Sequence, residues 1–237
     1  MADPHISIVL PVHNQASFIR TVVDEYETAL AKLSHSHETL LIENGSRDDS
    51  LKVCQELAEQ YPSVKVISSK QGGWGLAVNL GLKAAQGDLI CYTNSARTSA
   101  PDLLLVVMYA IANADTVIKA DRKIRENWRR RLGSLLYNLE CRALFDLPYW
   151  DINGTPKVFP RKFDKLVALT RNDDLIDAEF NAICRREAYP MLEVPILSTQ
   201  RHGGKSTTRL KSALKMYVGA YQLWKEMGSS EDQTKRP

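Results

Sequence analysis

Long apolar runs are missing from this chain. No segment approaches the roughly 18 uninterrupted apolar residues of a membrane-spanning helix, and the opening MADPHISIVLP has no charged leader followed by a long apolar core. The expectation is a cytoplasmic protein, neither exported nor membrane-spanning, with peripheral attachment at the cytoplasmic membrane face left open. Cysteine is scarce as well. Cys54, Cys91, Cys141 and Cys184 stand far apart, which excludes a disulfide-stapled scaffold and a close-spaced thiolate metal site and predicts reduced, mostly buried thiols. Excess charge is small: 31 basic against 28 acidic side chains give a net +3, and no nucleic acid partner is expected. Internal repeats, low-complexity tracts and linker-like runs are absent too, so one large domain is favoured over two small ones.

What is present is a globular composition, 44% hydrophobic and 25% charged over 237 residues, enough for a sizeable core. ISIVLPV reads as a buried strand ended by Pro11 and Asn14, before a helical pattern from Ser17 to Leu33. The pattern then repeats. Leu40 to Ile42 form a strand, Asn44-Gly45 a turn, and Asp48 to Ser50 cap a helix carrying Leu51, Cys54 and Leu57. Strand VKVIS leads into KQGGWG, whose glycines permit a tight backbone path, and a helix from Leu76 to Ala85 feeds strand LICYT. Strand and helix alternate through about residue 120, which predicts a mainly parallel, Rossmann-like α/β sheet flanked by helices, with ligands beyond the carboxyl ends of its strands.

After Asp121 the pattern changes. Leu132, Leu135, Leu136, Leu139, Ala143 and Leu144 mark one face of a long helix, with core packing as their expected fate and an interfacial, membrane-facing role as the alternative. DINGTPKVFPR reads as turn-rich, DLIDAEFNAICRRE as a helix, and Leu210 to Trp224 as a last helix. The basic run from Arg122 to Arg131 is either a solvated helix end or a patch for phosphate or anionic headgroups. His35 and His37 have no convincing partners for a metal.

Two Gly-containing turns at a strand-to-helix switch point, with basic groups near the C-terminus, suit a phosphorylated ligand held by backbone N–H groups and side-chain charge. The order of motifs resembles the family 2 inverting glycosyltransferases with the GT-A fold, particularly dolichol-phosphate and undecaprenyl-phosphate sugar synthases. LPVHNQ, IENGSRDDS and QGGWGLAVNLGLKAAQGDLI resemble the nucleotide side; DINGTPKVFPR, DAEF and EVPI the acceptor side; RHGGKS a late basic loop. The resemblance spans about Ile6 to Ser206. It implies a GT-A-like domain over residues 1–209, followed by a helix and tail over 210–237.

The resemblance further implies a nucleotide-sugar donor and a polyprenyl phosphate or related lipid acceptor, with a membrane surface or membrane protein as a further partner. Donor contacts fall on Pro11, His13, Gln15, Glu43, Gly45, Gly73, Asn94 and Ser95. Acceptor or phosphate contacts fall on Asn153, Lys157, Glu179, Arg201, Lys205 and Ser206. Arg201, Lys205, Asp151 and Asp177 form the candidate catalytic set, the two aspartates as orienting groups. Departures accompany these matches. Gln15 stands where an acidic residue is usual, and Trp74 interrupts a common Gly-Lys-Gly pattern. Asn94-Ser95-Ala96 occupies the place of the family's metal-holding Asp-X-Asp, and Ala96 has nothing to coordinate with. Transfer with Mg2+ or Mn2+, metal-independent transfer, and a catalytically degenerate binding or assembly protein all remain open at this point.

Overall fold

A computed structural model describes the backbone of residues 5–122, 128–197 and 210–234. In chain order the elements are β1 (Ile6–Val12), α1 (Ile19–Leu30), β2 (His37–Asn44), α2 (Ser50–Gln60), β3 (Val64–Ser69), α3 (Trp74–Ala84), β4 (Leu89–Tyr92) and α4 (Ala100–Ala112). The second half adds β5 (Val117–Arg122), α5 (Trp128–Phe145), β6 (Lys157–Pro160), α6 (Asp164–Val167), α7 (Ile176–Arg186), β7 (Met191–Ile196) and α8 (Leu210–Thr234).

The seven strands form one sheet in the order β3-β2-β1-β4-β6-β5-β7. Every pairing is parallel except the two made by β6, which lies antiparallel between β4 and β5. Continuous apolar runs such as ISIVLPV suit strands covered on both faces, and β1 is buried at all seven positions. One face packs against α1, α2 and α4, where Val22, Tyr26, Leu57 and Val106 bury with Ile8 and Leu10. On the other, Val78, Leu82, Phe180 and Ile183 cover Val9, Leu40, Tyr92 and Phe159. A third, smaller cluster joins α5, α7 and α8 through Tyr137, Cys141, Leu175, Ala178, Ala220 and Leu223.

The expected α/β alternation is present, with differences in the second half. DINGTPKVFPR, expected to be turn-rich, contributes a strand to the middle of the sheet. The strand has only four residues and opens on a lysine, so its signal is weak beside the flanking turn residues. Leu135, Leu136 and Leu139 of α5 are exposed, which corrects their expected burial: α5 buries Tyr137 and Cys141 instead. The last helix runs to Thr234, ten residues past Trp224. All four cysteines are free and buried, and burial pushes the Cys54 and Cys141 thiols up to about 12. Among the described residues no helix is long and apolar enough to cross a membrane.

Candidate active site

The loops leaving the carboxyl ends of β1, β2, β3 and β4 meet at one edge of the sheet. Backbone N–H groups of the β1–α1 loop donate to side chains of the β2–α2 loop: Asn14 to Ser46 Oγ at 3.0 Å, Gln15 to Ser50 Oγ at 2.7 Å and Ala16 to Asp48 Oδ2 at 3.1 Å. His13 donates from Nδ1 to the Asn44 carbonyl at 2.8 Å and accepts from Asn14 at Nε2, so its partners select the Nδ1–H tautomer. Glu43 is buried and closes its own turn, accepting from Ser46 N–H at 2.7 Å and from the Ser68 hydroxyl of β3 at 2.7 Å. Gly45 has φ of +68°, and a Cβ there would stand 3.0 Å from Gly72 N and Lys70 O. Only glycine fits so close an approach of two loops.

On the other flank of β1, Ser95 donates to Gln15 Oε1 at 2.6 Å and lies 3.2 Å from the Pro11 carbonyl. Pro11 sits beyond the last β1–β4 pair, Val9 with Tyr92, where a missing N–H breaks no ladder bond. The IENGS and NSA turns therefore line one edge, joined through the loop that carries His13 and Gln15. Asn94 Oδ1 accepts from Ala96 N–H at 3.0 Å. With Asn94 and Ser95 already engaged and Ala96 apolar, the donor set at this corner does not fit a divalent ion. Among the described residues no cluster of three metal-ligating side chains is found. Asp88 lies at the opposite edge, where its side chain accepts from His5 N–H.

The acceptor-side candidates gather where β6 enters the sheet. Strand register aligns Tyr92, Lys157, Lys119 and Glu193 in one row across β4, β6, β5 and β7. Lys157 and Lys119 are fully buried, a costly placement that each offsets with a carboxylate. Lys157 Nζ pairs with Asp177 Oδ1, and Lys119 Nζ with Glu193 Oε1 at 2.9 Å. Burial pulls the Lys157 ammonium below its ordinary range, against the opposing pull of Asp177. Asp177 also accepts from Tyr92 Oη at 3.0 Å and, through Oδ2, from Trp74 Nε1 at 3.0 Å. Three donors from α3, β4 and β6 thus occupy it.

Asp151 holds left-handed backbone, φ +46°, and takes Arg122 side-on through Nε and Nη2, both at 2.7 Å. Burial opposes the Arg122 charge, but Asp151 outweighs it and holds the guanidinium above its ordinary range. Glu179 accepts from the N–H groups of Thr170 and Arg171 and from the Thr170 hydroxyl, ordering the loop before α7. Asn153 buries a carboxamide oxygen without a partner among the described residues, as does Asn44 at the end of β2. Gly73 leads into α3, where its carbonyl accepts from Asn44 Nδ2 at 3.0 Å. Arg201, Lys205 and Ser206 lie outside the described residues. Participants not expected from sequence include Tyr92, whose hydroxyl is hidden in an apolar run, Trp74, whose partner stands 103 residues away, and the buried pair Lys119–Glu193, whose members lie on separate strands.

Comparison with known proteins agrees with this architecture. Glucosyl-3-phosphoglycerate synthase from Mycobacterium tuberculosis, solved with phosphoglyceric acid, superposes with a TM-score of 0.70 at 16% identity, covering 94% of this chain and 80% of that one. The same enzyme solved with Mn2+, UDP-glucose and phosphoglyceric acid gives 0.70 at 17%. These likenesses place the fold among GT-A-like architectures. In sequence, undecaprenyl-phosphate 4-deoxy-4-formamido-L-arabinose transferase from Pseudomonas syringae is 30% identical over 206 residues, 85% of this chain and 60% of the relative. Its Pseudomonas fluorescens counterpart is 26% identical over 192 residues, 79% of this chain and 57% of the relative. The chain thus spans less than two thirds of the length of these relatives. Residues 7–189 match the profile described as glycosyl transferase family 2, and the chain belongs to that family.

Proposed function

We propose that the protein transfers a sugar from a nucleotide-sugar donor to a polyprenyl phosphate, with inversion at the anomeric carbon. The observation that carries this reading is the hydrogen bond from Trp74 to Asp177, which brings the donor-side glycine loop against the buried cations of the acceptor side. An acceptor phosphate oxygen attacks the anomeric carbon, the bond from that carbon to the diphosphate oxygen breaks, and the nucleoside diphosphate leaves from the opposite face. The attacking phosphate is already anionic near neutral pH, so the step needs no side-chain base.

Charge placement is then the main task. Arg201 and Lys205 neutralise the acceptor phosphate or the departing diphosphate, with Ser206 as a further polar contact. Asp151 and Asp177 orient, since each carboxylate is committed to a cation, the half-buried Arg122 and the fully buried Lys157. Asn94-Ser95-Ala96 is an altered Asp-X-Asp, and no step of this mechanism runs through a metal ion there. A lipid acceptor requires the crevice to stand close to the cytoplasmic membrane face, with residues 1–209 as the transferase unit and 210–237 as its appendage. The same altered corner favours a second reading, a catalytically degenerate nucleotide-binding or assembly protein.

Titration of UDP-sugars and GDP-sugars, followed by incubation of those that bind with polyprenyl phosphates, separates the two. The proposal expects a lipid product heavier by one sugar. Donor binding without product for any acceptor supports the degenerate reading.

A further inference from the structure

The corner after β4 carries amides where a metal-holding corner carries carboxylates, and the hydrogen bonds fix which way those amides face. Asn94 Oδ1 accepts from the Ala96 N–H at 3.0 Å, a contact that only the amide oxygen can make, so the Asn94 nitrogen turns away from its own backbone. Ser95 Oγ approaches the Gln15 amide to 2.6 Å. That is an O–H···O separation, shorter than an N–H···O bond allows, so Gln15 also turns its oxygen inward. Both amide nitrogens are left over. Neither has a partner among the described residues, and both residues are half-buried at the edge where the donor-side loops meet.

The turn that carries Asn94 is braced. Its carbonyl accepts from the N–H groups of Arg97 and Thr98 at 3.0 and 2.9 Å, the Thr98 hydroxyl meets that of Thr93 at 2.7 Å, and Tyr26 Oη donates to the Thr98 carbonyl at 2.8 Å. A donor held this firmly costs little to order around a ligand. Backbone N–H groups that might hold an anion nearby are already used. Those of Asn14, Gln15 and Ala16 donate to side chains of the β2–α2 loop, and that of Leu76, in the first turn of α3, donates to the Asn172 carbonyl at 3.1 Å. Side-chain amides are thus what this corner offers to a phosphate oxygen.

We propose that Gln15 and Asn94 hold the diphosphate of the donor directly, through their amide N–H groups, at the corner whose residues do not fit a divalent ion. This rests on the nucleotide-sugar donor assigned above and deepens it. Carboxylates would need a cation between themselves and a diphosphate, whereas amide donors bind the phosphate oxygens without one.

Calorimetric titration with UDP and with GDP, each in EDTA and in Mn2+, compares the parent with the isosteric variant Q15E/N94D. Both substitutions keep the inward oxygens, so the variant should keep the parent's unfolding curve. The parent should bind one of the two nucleotides equally well in EDTA and in Mn2+. Q15E/N94D should bind that nucleotide roughly tenfold more weakly in EDTA, because donors to phosphate become repelling carboxylates. Gln15→Glu alone, which leaves the Asn94 turn untouched, should weaken binding about threefold. Lys162→Glu makes the same change in net charge as the double variant, but beside Asp88 at the opposite edge, and should bind as the parent does. A parent that binds only with Mn2+, or variants at Gln15 and Asn94 that match the parent in EDTA, would overturn the proposal and leave the donor reading standing. A parent that binds neither nucleotide in either condition would sink the donor reading and the proposal with it.

Discussion

The indole of Trp74 donates to Asp177 Oδ2 at 3.0 Å, so the first residue of α3 and the second residue of α7 share one buried carboxylate. The contact crosses from the loops beyond β1 to β4, proposed to hold the donor, to the buried lysines around β6, proposed for the acceptor side. Replacing Trp74 with Phe keeps an aromatic ring beside Tyr92 but removes the N–H. One oxygen of a buried carboxylate then loses a donor, a loss of about 2 kcal/mol. Chemical denaturation should show that loss, and transfer should fall by more than the stability change explains. Parent-like turnover in Trp74→Phe would mean that the contact is structural only.

Lys157→Met should be more damaging, because it leaves Asp177 buried without its cation, at a cost of about 3–5 kcal/mol. Adding Asp177→Leu should recover much of that loss, since removing both charges leaves no unpaired ion. A double-mutant cycle measured by unfolding reads the coupling. Additive losses would contradict the buried pair.

Much of this arrangement was legible in the sequence, and the exceptions have physical causes. The buried strands β1, β2 and β4 are continuous apolar runs ended by turn residues, so they and the loops they launch could be read directly. β6 could not: four residues between Pro156 and Arg161, opening on a lysine, carry little strand signal, and the burial of Lys157 depends on an aspartate twenty residues later. The exposed leucines of α5 mislead in the opposite sense, because periodicity identifies an apolar face without saying what covers it. Trp74 and Tyr92 join the site through partners that are distant in sequence, which no local pattern encodes.

Acid should destabilise the fold through two buried carboxylates away from the site. Glu27 accepts from His37, Ser63 and Thr39, and Glu38 from Ser7, Lys65 and Gln86 N–H. Burial favours their protonated forms, but these donors outweigh it and hold both below the ordinary value of 4.5. A depressed folded-state pKa contributes stability that is complete above 4.5 and lost as pH falls through the lower, folded value. Glu27→Gln should therefore lower stability at neutral pH and flatten the acid limb of a stability–pH curve. An acid limb identical to the parent's would refute the assignment.

Within the RHGGKS motif, Arg201→Ala and Lys205→Ala should each raise the barrier to transfer by about 2–4 kcal/mol. Their unfolding curves should stay close to the parent's if the two charges serve transfer and not the fold. Catalytic efficiency and unfolding measured on the same preparations check this. Full transfer by both variants would remove these two side chains from the mechanism.

The most direct measurement is the mass of the lipid after the protein, a bound nucleotide-sugar and a polyprenyl phosphate are incubated in parallel with EDTA, Mg2+ and Mn2+. The account predicts a lipid phosphate heavier by one sugar, with stoichiometric release of the nucleoside diphosphate, and product persisting in EDTA because cationic side chains carry the leaving-group charge. An unchanged lipid mass in all three conditions, from protein that binds the donor, would contradict it.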